Sequence, residues 1–134
     1  MSAPASLSFP LVCAADLEAA RVAAVRLLAP FAHGPRMLAR VKTIVSELGR
    51  NVVQHGGGGT LTLALTPHAQ GVALRIEALD CGPGITDVAL ALSPGFSTTR
   101  GLGLGLSGSR HLADRFEITA PRGGGTLVTA WVWL

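Results

Sequence analysis

Lysine and tyrosine are almost missing from this chain of 134 residues. It has no tyrosine, and Lys42 is its only lysine. A Walker A loop needs Gly-Lys-Ser/Thr, and an ordinary protein kinase needs a lysine on a strand. Lys42 instead lies between Val41 and Thr43, in a stretch with helical periodicity. The sequence therefore excludes both of these phosphate-binding devices.

Long basic runs and long apolar runs are missing as well. The formal charge is +3, but the arginines are scattered along the chain and aromatic residues are only 4% of it. The sequence therefore lacks the basic patch with interspersed aromatic residues that is typical of nucleic-acid-binding surfaces. No apolar run approaches the roughly 20 residues of a membrane helix. No secretory signal is visible, and Cys13 and Cys81 are expected to be reduced. We expect a cytoplasmic protein without a nucleic acid or a membrane as partner.

Alternating and helical apolar patterns predict a single domain over residues 1–134. Hairpin-connected strands need no helix between them, so the sheet should be mixed or mostly antiparallel, with the helices on one face. The fold class is α/β (α+β), a two-layer sandwich of about five strands and three to four helices. The predicted strands are Ser6–Cys13, Thr60–Thr66, Val72–Leu79, Phe116–Ala120 and Thr126–Leu134. The predicted helices run from an N-cap at Asp16 to Leu28, from Gly34-Pro35 to the glycines at 56–59, over Asp87–Leu92 and over Leu104–Ala113.

Glu47 and Asn51 form the first candidate cluster. They lie four residues apart on a predicted helix, so they share one face and are separated by about 6 Å along the axis. A carboxylate and an amide placed in this way could hold a divalent cation and orient an attacking hydroxyl group. The alternative is an ordinary polar surface face.

Asp80 marks the second cluster. It directly follows an apolar strand and precedes Gly82 and Gly84, which allow the backbone to approach a ligand closely. An ionised carboxylate here could accept a hydrogen bond from an exocyclic amine. The alternative is a turn in which Asp and Gly have their usual roles.

The third cluster is a glycine-rich segment that opens a helix, with Gly101, Gly103, Gly105 and Gly108. Free amides at a helix N-terminus attract phosphate groups. Gly103, Gly105 and Gly108 match G-x-G-x-x-G, but a polar loop rather than a strand precedes them, so a Rossmann site is excluded by context. A flexible hinge is the alternative.

Together with Gly-Gly-Thr126, these clusters resemble the N, G1, G2 and G3 boxes of the GHKL (Bergerat-fold) ATP-binding superfamily. That superfamily includes gyrase, heat-shock chaperone and MutL ATPase domains and the histidine kinases. Within this superfamily, three segments are similar to RsbT-type switch serine/threonine kinases. They are the run from Phe96 to Gly108, the following Arg110-His-Leu-Ala-Asp-Arg-Phe-Glu-Ile, and Ser46-Glu-Leu-Gly-Arg-Asn51. The similarity to anti-sigma-factor kinases is more distant.

The resemblance implies ATP and Mg²⁺ as cofactors and gives each box a role. Asp80 would recognise the adenine amino group, with Thr126 nearby, and Asn51 would ligate Mg²⁺. Glu47 would be the catalytic base, and Arg100 would contact the terminal phosphate. Backbone would pass close to the nucleotide at five glycines: Gly82, Gly84, Gly101, Gly103 and Gly105.

The implied activity is that of a protein serine/threonine kinase, and the implied substrate is a STAS-domain antagonist in a bacterial partner-switching pathway. A sigma factor, a phosphatase or another effector could be a further partner. The chief alternative is an ATP-binding regulatory module that acts by protein binding with little catalysis; a third possibility is an ATPase clamp of the MutL type. A histidine kinase is disfavoured because no histidine lies in a phosphoacceptor context; the four are His33, His55, His68 and His111.

Overall fold

The computed structural model describes residues 6–31, 33–55, 58–80, 106–120 and 124–134. Within these ranges, five strands form one antiparallel sheet in the order β1-β2-β3-β5-β4. The elements in chain order are β1 (Ser6–Leu11), α1 (Ala14–Leu28), α2 (Pro35–His55), β2 (Gly59–His68), β3 (Gly71–Asp80), α3 (Leu106–Leu112), β4 (Arg115–Thr119) and β5 (Thr126–Trp133).

One face of the sheet and one stripe of α2 form the core. Alternate residues of β2, β3 and β5 point to the same face, so that Leu63, Ile76 and Ala130 lie side by side in the register. The stripe on α2 follows helical spacing and packs against them. Its members, all fully or almost fully buried, are Val41, Ile44, Val45, Leu48 and Val52. This confirms the predicted two-layer arrangement and selects the antiparallel alternative for the described strands.

The start of α1 differs from the prediction of Asp16 as N-cap. Cys13 is the N-cap, and Asp16 is the third residue of the helix. Asp16 Oδ2 accepts hydrogen bonds from the backbone amides of Val12 at 2.9 Å and of Cys13 at 3.1 Å. A carboxylate at this position can serve the free amides as well as a capping residue does, which moves the helix start back toward β1. These two amides, Val12 first, lower the pKa of Asp16 below its ordinary value.

Other boundaries agree with the predictions to within a few residues. The hairpin of β2 and β3 is present, and β1 ends at Leu11 instead of Cys13. The predicted helix Leu104–Ala113 is found as Leu106–Leu112, with residues 104 and 105 outside the described ranges. The predicted helix Asp87–Leu92 also lies outside them. Among the described helices, none is long and apolar enough to cross a membrane.

Candidate nucleotide-binding site

Three strands bring Asp80 and Thr126 together at one end of the sheet. Asp80, the last residue of β3, pairs with Gly59 at the start of β2 and with Thr126 at the start of β5. Its Oδ1 atom accepts a hydrogen bond of 3.1 Å from the backbone amide of Thr126. Thr126 is 4% exposed. The carboxylate is thus held by the neighbouring strand and lies at the sheet end.

Glycine is required beside Asp80 because no side chain fits there. A Cβ atom on Gly125 would overlap the carbonyl oxygen of Asp80, and Gly125 has φ +84°, a left-handed conformation. A Cβ atom on Gly59 would overlap the carbonyl oxygen of Leu79 on the other side. A role for Thr126 could be predicted from the sequence. The need for glycine at position 125 was not predicted, although the Gly-Gly pair before Thr126 was a signal for it.

Helix α2 brings Asn51 to the same end of the sheet. The backbone amide of Gly58 donates to the carbonyl oxygen of Val52 at 3.2 Å, which holds the start of β2 at Gly59 close to the last turn of α2. Asn51 Nδ2 is buried and has no hydrogen-bond partner among the described residues. A buried amide donor without a partner costs about 1–3 kcal/mol. An anionic ligand such as a phosphate would satisfy it, which fits the nucleotide that the N box predicts.

Glu47 lies one helical turn before Asn51 on the same side of α2. Its Oε1 atom forms an ion pair of 2.7 Å with Arg50 Nη1, and the Glu47 side chain is 31% exposed. The carboxylate is therefore accessible from solvent and is held at one oxygen. The pairing of Glu47 with Arg50 was not predicted, although a spacing of three residues on a helix is a signal for such a pair.

The third helix is fastened to α2 at its C-terminal end. Arg40 donates to the carbonyl oxygen of Leu112 from Nε at 3.0 Å and from Nη2 at 2.6 Å, and its Nη2 also lies 3.3 Å from Asp114 Oδ2. The same oxygen of Asp114 accepts the backbone amide of Trp133 at 2.7 Å. This contact links α2, α3 and β5, so the helix that follows the glycine cluster has a fixed C-terminal end.

The structure therefore brings three predicted site residues to one end of the sheet: Asn51, Asp80 and Thr126. Glu47 lies beside them on α2. An amide oxygen such as that of Asn51 is a hard ligand suited to Mg²⁺ when phosphates complete the coordination. Among residues 6–31, 33–55, 58–80, 106–120 and 124–134, no group of three or more His, Cys, Asp or Glu residues could hold a metal ion. The remaining predicted site residues lie outside the described ranges: Gly82, Gly84, Arg100, Gly101, Gly103 and Gly105.

A family comparison decides what this arrangement is. The model of the histidine kinase-, DNA gyrase B- and HSP90-like ATPase family matches residues 38–134. The chain belongs to this family. The matched residues run from α2 to the end of the chain and include the four segments that were predicted to be the boxes.

Relatives within the ATPase family narrow the comparison. The chain is 36% identical over 119 residues to the serine/threonine-protein kinase RsbT of Bacillus subtilis, covering 89% of this chain and 90% of that protein. It is 32% identical over 95 residues to an anti-sigma F factor of Thermoanaerobacter, covering 68% of this chain and 66% of that protein. The chain is thus homologous to a serine/threonine-protein kinase and to an anti-sigma F factor.

A solved structure has the same fold. It contains the RsbU and RsbW domains of Rv1364c from Mycobacterium tuberculosis, with a TM-score of 0.65 and 19% identity. The match covers 98% of this chain and 32% of that longer one. At this identity the likeness bears on the fold alone, and it agrees with the antiparallel sheet and helical layer described above.

Proposed function

We propose that this protein is an ATP-dependent protein serine/threonine kinase, acting as a single domain over residues 1–134. The observation that carries the proposal is the fixed Asp80 carboxylate at the sheet end, with the buried Asn51 amide delivered to the same end by α2. A carboxylate suits the adenine amino group, and an amide suits phosphates and a divalent cation. Homology to the kinase RsbT over most of the chain supports the same activity.

Asp80 is proposed to accept a hydrogen bond from the adenine amino group, with Thr126 beside it. Asn51 would hold Mg²⁺, which would neutralise phosphate charge, and Arg100 would contact the terminal phosphate. The predicted glycines allow close approach of the backbone. Phosphoryl transfer depends mainly on such positioning and charge neutralisation.

Glu47 is proposed to act as the base. It accepts the proton of a Ser or Thr hydroxyl group as that oxygen bonds to the terminal phosphorus, and the bond to the bridging oxygen of the leaving ADP breaks. The free side of the Glu47 carboxylate is accessible from solvent, since Arg50 occupies only one of its oxygens. An acceptor protein can therefore reach it.

The acceptor is proposed to be a STAS-domain antagonist in the cytoplasm. Phosphorylation adds nearly two negative charges to the acceptor, which can expel a bound partner by repulsion and desolvation. Release of one partner would let the kinase bind a sigma factor, a phosphatase or another effector. This is the logic of a partner-switching pathway in sigma-factor or stress signalling.

A binding module is the second candidate function. It is favoured by the 32% identity to an anti-sigma F factor, a protein named for binding rather than for catalysis. In that case ATP binding would shape the docking surface, and Glu47 would be dispensable.

Label transfer separates the two functions. The purified chain is incubated with γ-labelled Mg-ATP and a STAS-domain protein, and we expect label on a Ser or Thr of that protein. Glu47→Ala should keep ATP binding and lose transfer, because a base acts in the chemical step. Glu117→Ala, which removes an exposed carboxylate on β4, is the matched control. Complex formation without any transfer would reject the kinase in favour of the module.

A further inference from the structure

A groove lined by polar and apolar side chains lies between α1 and α2, begins at Glu47 and runs away from the sheet end. A cavity of about 370 Å³ forms its first part. A second cavity of about 280 Å³ shares Glu18, Arg21 and Lys42 with the first and continues past Val22 and Val25 to Arg26. The first part is lined by Glu18, Arg21, Lys42, Thr43, Ser46 and Glu47.

A hydrogen bond between the two helices closes the floor of this groove. Arg21 Nη1 donates to Ser46 Oγ at 3.1 Å, and Arg21 also pairs with Glu18 on its own helix. Deeper down, Gly49 is buried against Leu17, and a Cβ atom at position 49 would overlap that leucine. The two helices therefore approach closely below the groove.

The groove has a surplus of positive charge. Both of its carboxylates are already paired with arginines, Glu18 with Arg21 and Glu47 with Arg50. By contrast, Lys42 and Arg26 form no ion pair with any described residue, and both are exposed. Two cations are thus available in the groove: Lys42, which lines both cavities, and Arg26, which lines only the second.

We propose that this groove binds an acidic segment of the phosphoacceptor protein, next to the hydroxyl group that is phosphorylated. The inference rests on the proposed function, because it takes Glu47 as the base. Continuity of the groove with Glu47 places a bound segment beside the reacting hydroxyl group, and the available cations select carboxylates.

Helix geometry limits where the acidic residue must lie. Glu47 and Lys42 are five positions apart on α2, about 8 Å along the axis. A bound acceptor segment in an extended conformation advances about 3.3 Å per residue. Two to four of its residues therefore bridge the distance between Glu47 and Lys42, which includes both the separation along the axis and the width of the helix. The acceptor is therefore expected to carry Asp or Glu two to four positions from the phosphorylated Ser or Thr.

The first test measures steady-state kinetics with a STAS-domain protein that the wild-type chain phosphorylates. Lys42→Glu and Arg26→Glu should each raise KM for that protein at least tenfold and leave the Kd for Mg-ATP within twofold. Arg115→Glu makes the same charge change on β4, at the opposite edge of the sheet from β1, and should leave KM unchanged. Equal KM values for all four proteins would overturn the inference while leaving the kinase function intact.

The second test uses the fact that Lys42 is the only lysine. A carbodiimide that joins amines to carboxylates should couple Lys42 to an Asp or Glu of the acceptor near its phosphorylated residue, as located by peptide mass spectrometry. Lys42→Arg keeps the charge and should keep KM, but it cannot form this amide and should lose that crosslink. A Lys42 crosslink to a distant acceptor region, or none at all, contradicts the inference. Absence of phosphorylation by the wild-type chain would instead contradict the proposed function.

Discussion

The Oδ1 atom of Asp80 accepts a hydrogen bond of 3.1 Å from the backbone amide of Thr126, which ties the end of β3 to the start of β5. The bond fixes the direction of the carboxylate before any ligand arrives. Preorganisation of this kind lowers the ordering cost of binding.

Asp80→Asn is expected to weaken Mg-ATP binding about ten- to a hundredfold, the equivalent of losing a charged hydrogen bond of about 1.5–3 kcal/mol. The amide oxygen of the variant can still accept the hydrogen bond from the backbone amide of Thr126. Calorimetric titration with Mg-ATP measures the effect, and the thermal midpoint serves as the folding control. Unchanged affinity would disprove the adenine assignment.

Gly125→Ala should destabilise the protein more than Gly124→Ala. Both glycines have positive φ, +84° and +93°, so each substitution costs about 1 kcal/mol or more of backbone strain. Only the Cβ atom at position 125 meets Asp80, whereas the one at 124 meets nothing within 4 Å. We expect an additional loss of about 1–3 kcal/mol for Gly125→Ala from this overlap, measured by urea unfolding. Equal losses for the two variants would show that the strand end relaxes freely.

Asn51→Leu should separate stability from binding. It removes a buried donor without a partner in the described part of the chain, and leucine has the higher helix propensity, so the free energy of unfolding should stay equal or rise by up to about 1 kcal/mol. Mg-ATP affinity should fall by more than about a hundredfold, as expected for loss of a metal and phosphate contact. Gln54→Leu, at an exposed position of the same helix, should leave that affinity unchanged. A clear loss of stability in Asn51→Leu would indicate a structural role for this amide.

Asp16 should make stability dependent on pH in the acid range. Its pKa is lowered in the folded state by the amides of Val12 and Cys13, so its contribution is present above the unfolded-state pKa and is lost as the pH falls through the folded-state value. Asp16→Asn should therefore have a lower urea midpoint than the wild type at pH 7, and this difference should shrink below about pH 4. A difference that is constant with pH would exclude Asp16 as its source.

Much of this fold could be predicted because its signals are local. Two patterns reflect which side chains are buried in the core. They are the alternation of apolar residues around Leu63 and Ile76 in the strands and the helical spacing of apolar residues from Val41 to Val52. The start of α1 could not be predicted in this way. Asp16 is a good capping residue by type, but its carboxylate accepts hydrogen bonds from the amides of Val12 and Cys13 while Asp16 itself lies inside the helix. This arrangement depends on where the end of β1 places Val12 and Cys13.

By itself the sequence determined the periodic elements, the order of the four boxes and the residue types that suit a nucleotide, because each depends on neighbours along the chain. Only the tertiary structure decided that Gly59, Asp80 and Thr126 form one row, that Gly125 must lack a side chain, and that Arg21 bridges to Ser46 to close the floor of a groove. The residues in each of these relationships are separated by between 21 and 67 positions in the chain. At such separations, strand register and helix packing determine which residues come into contact, and local propensity does not.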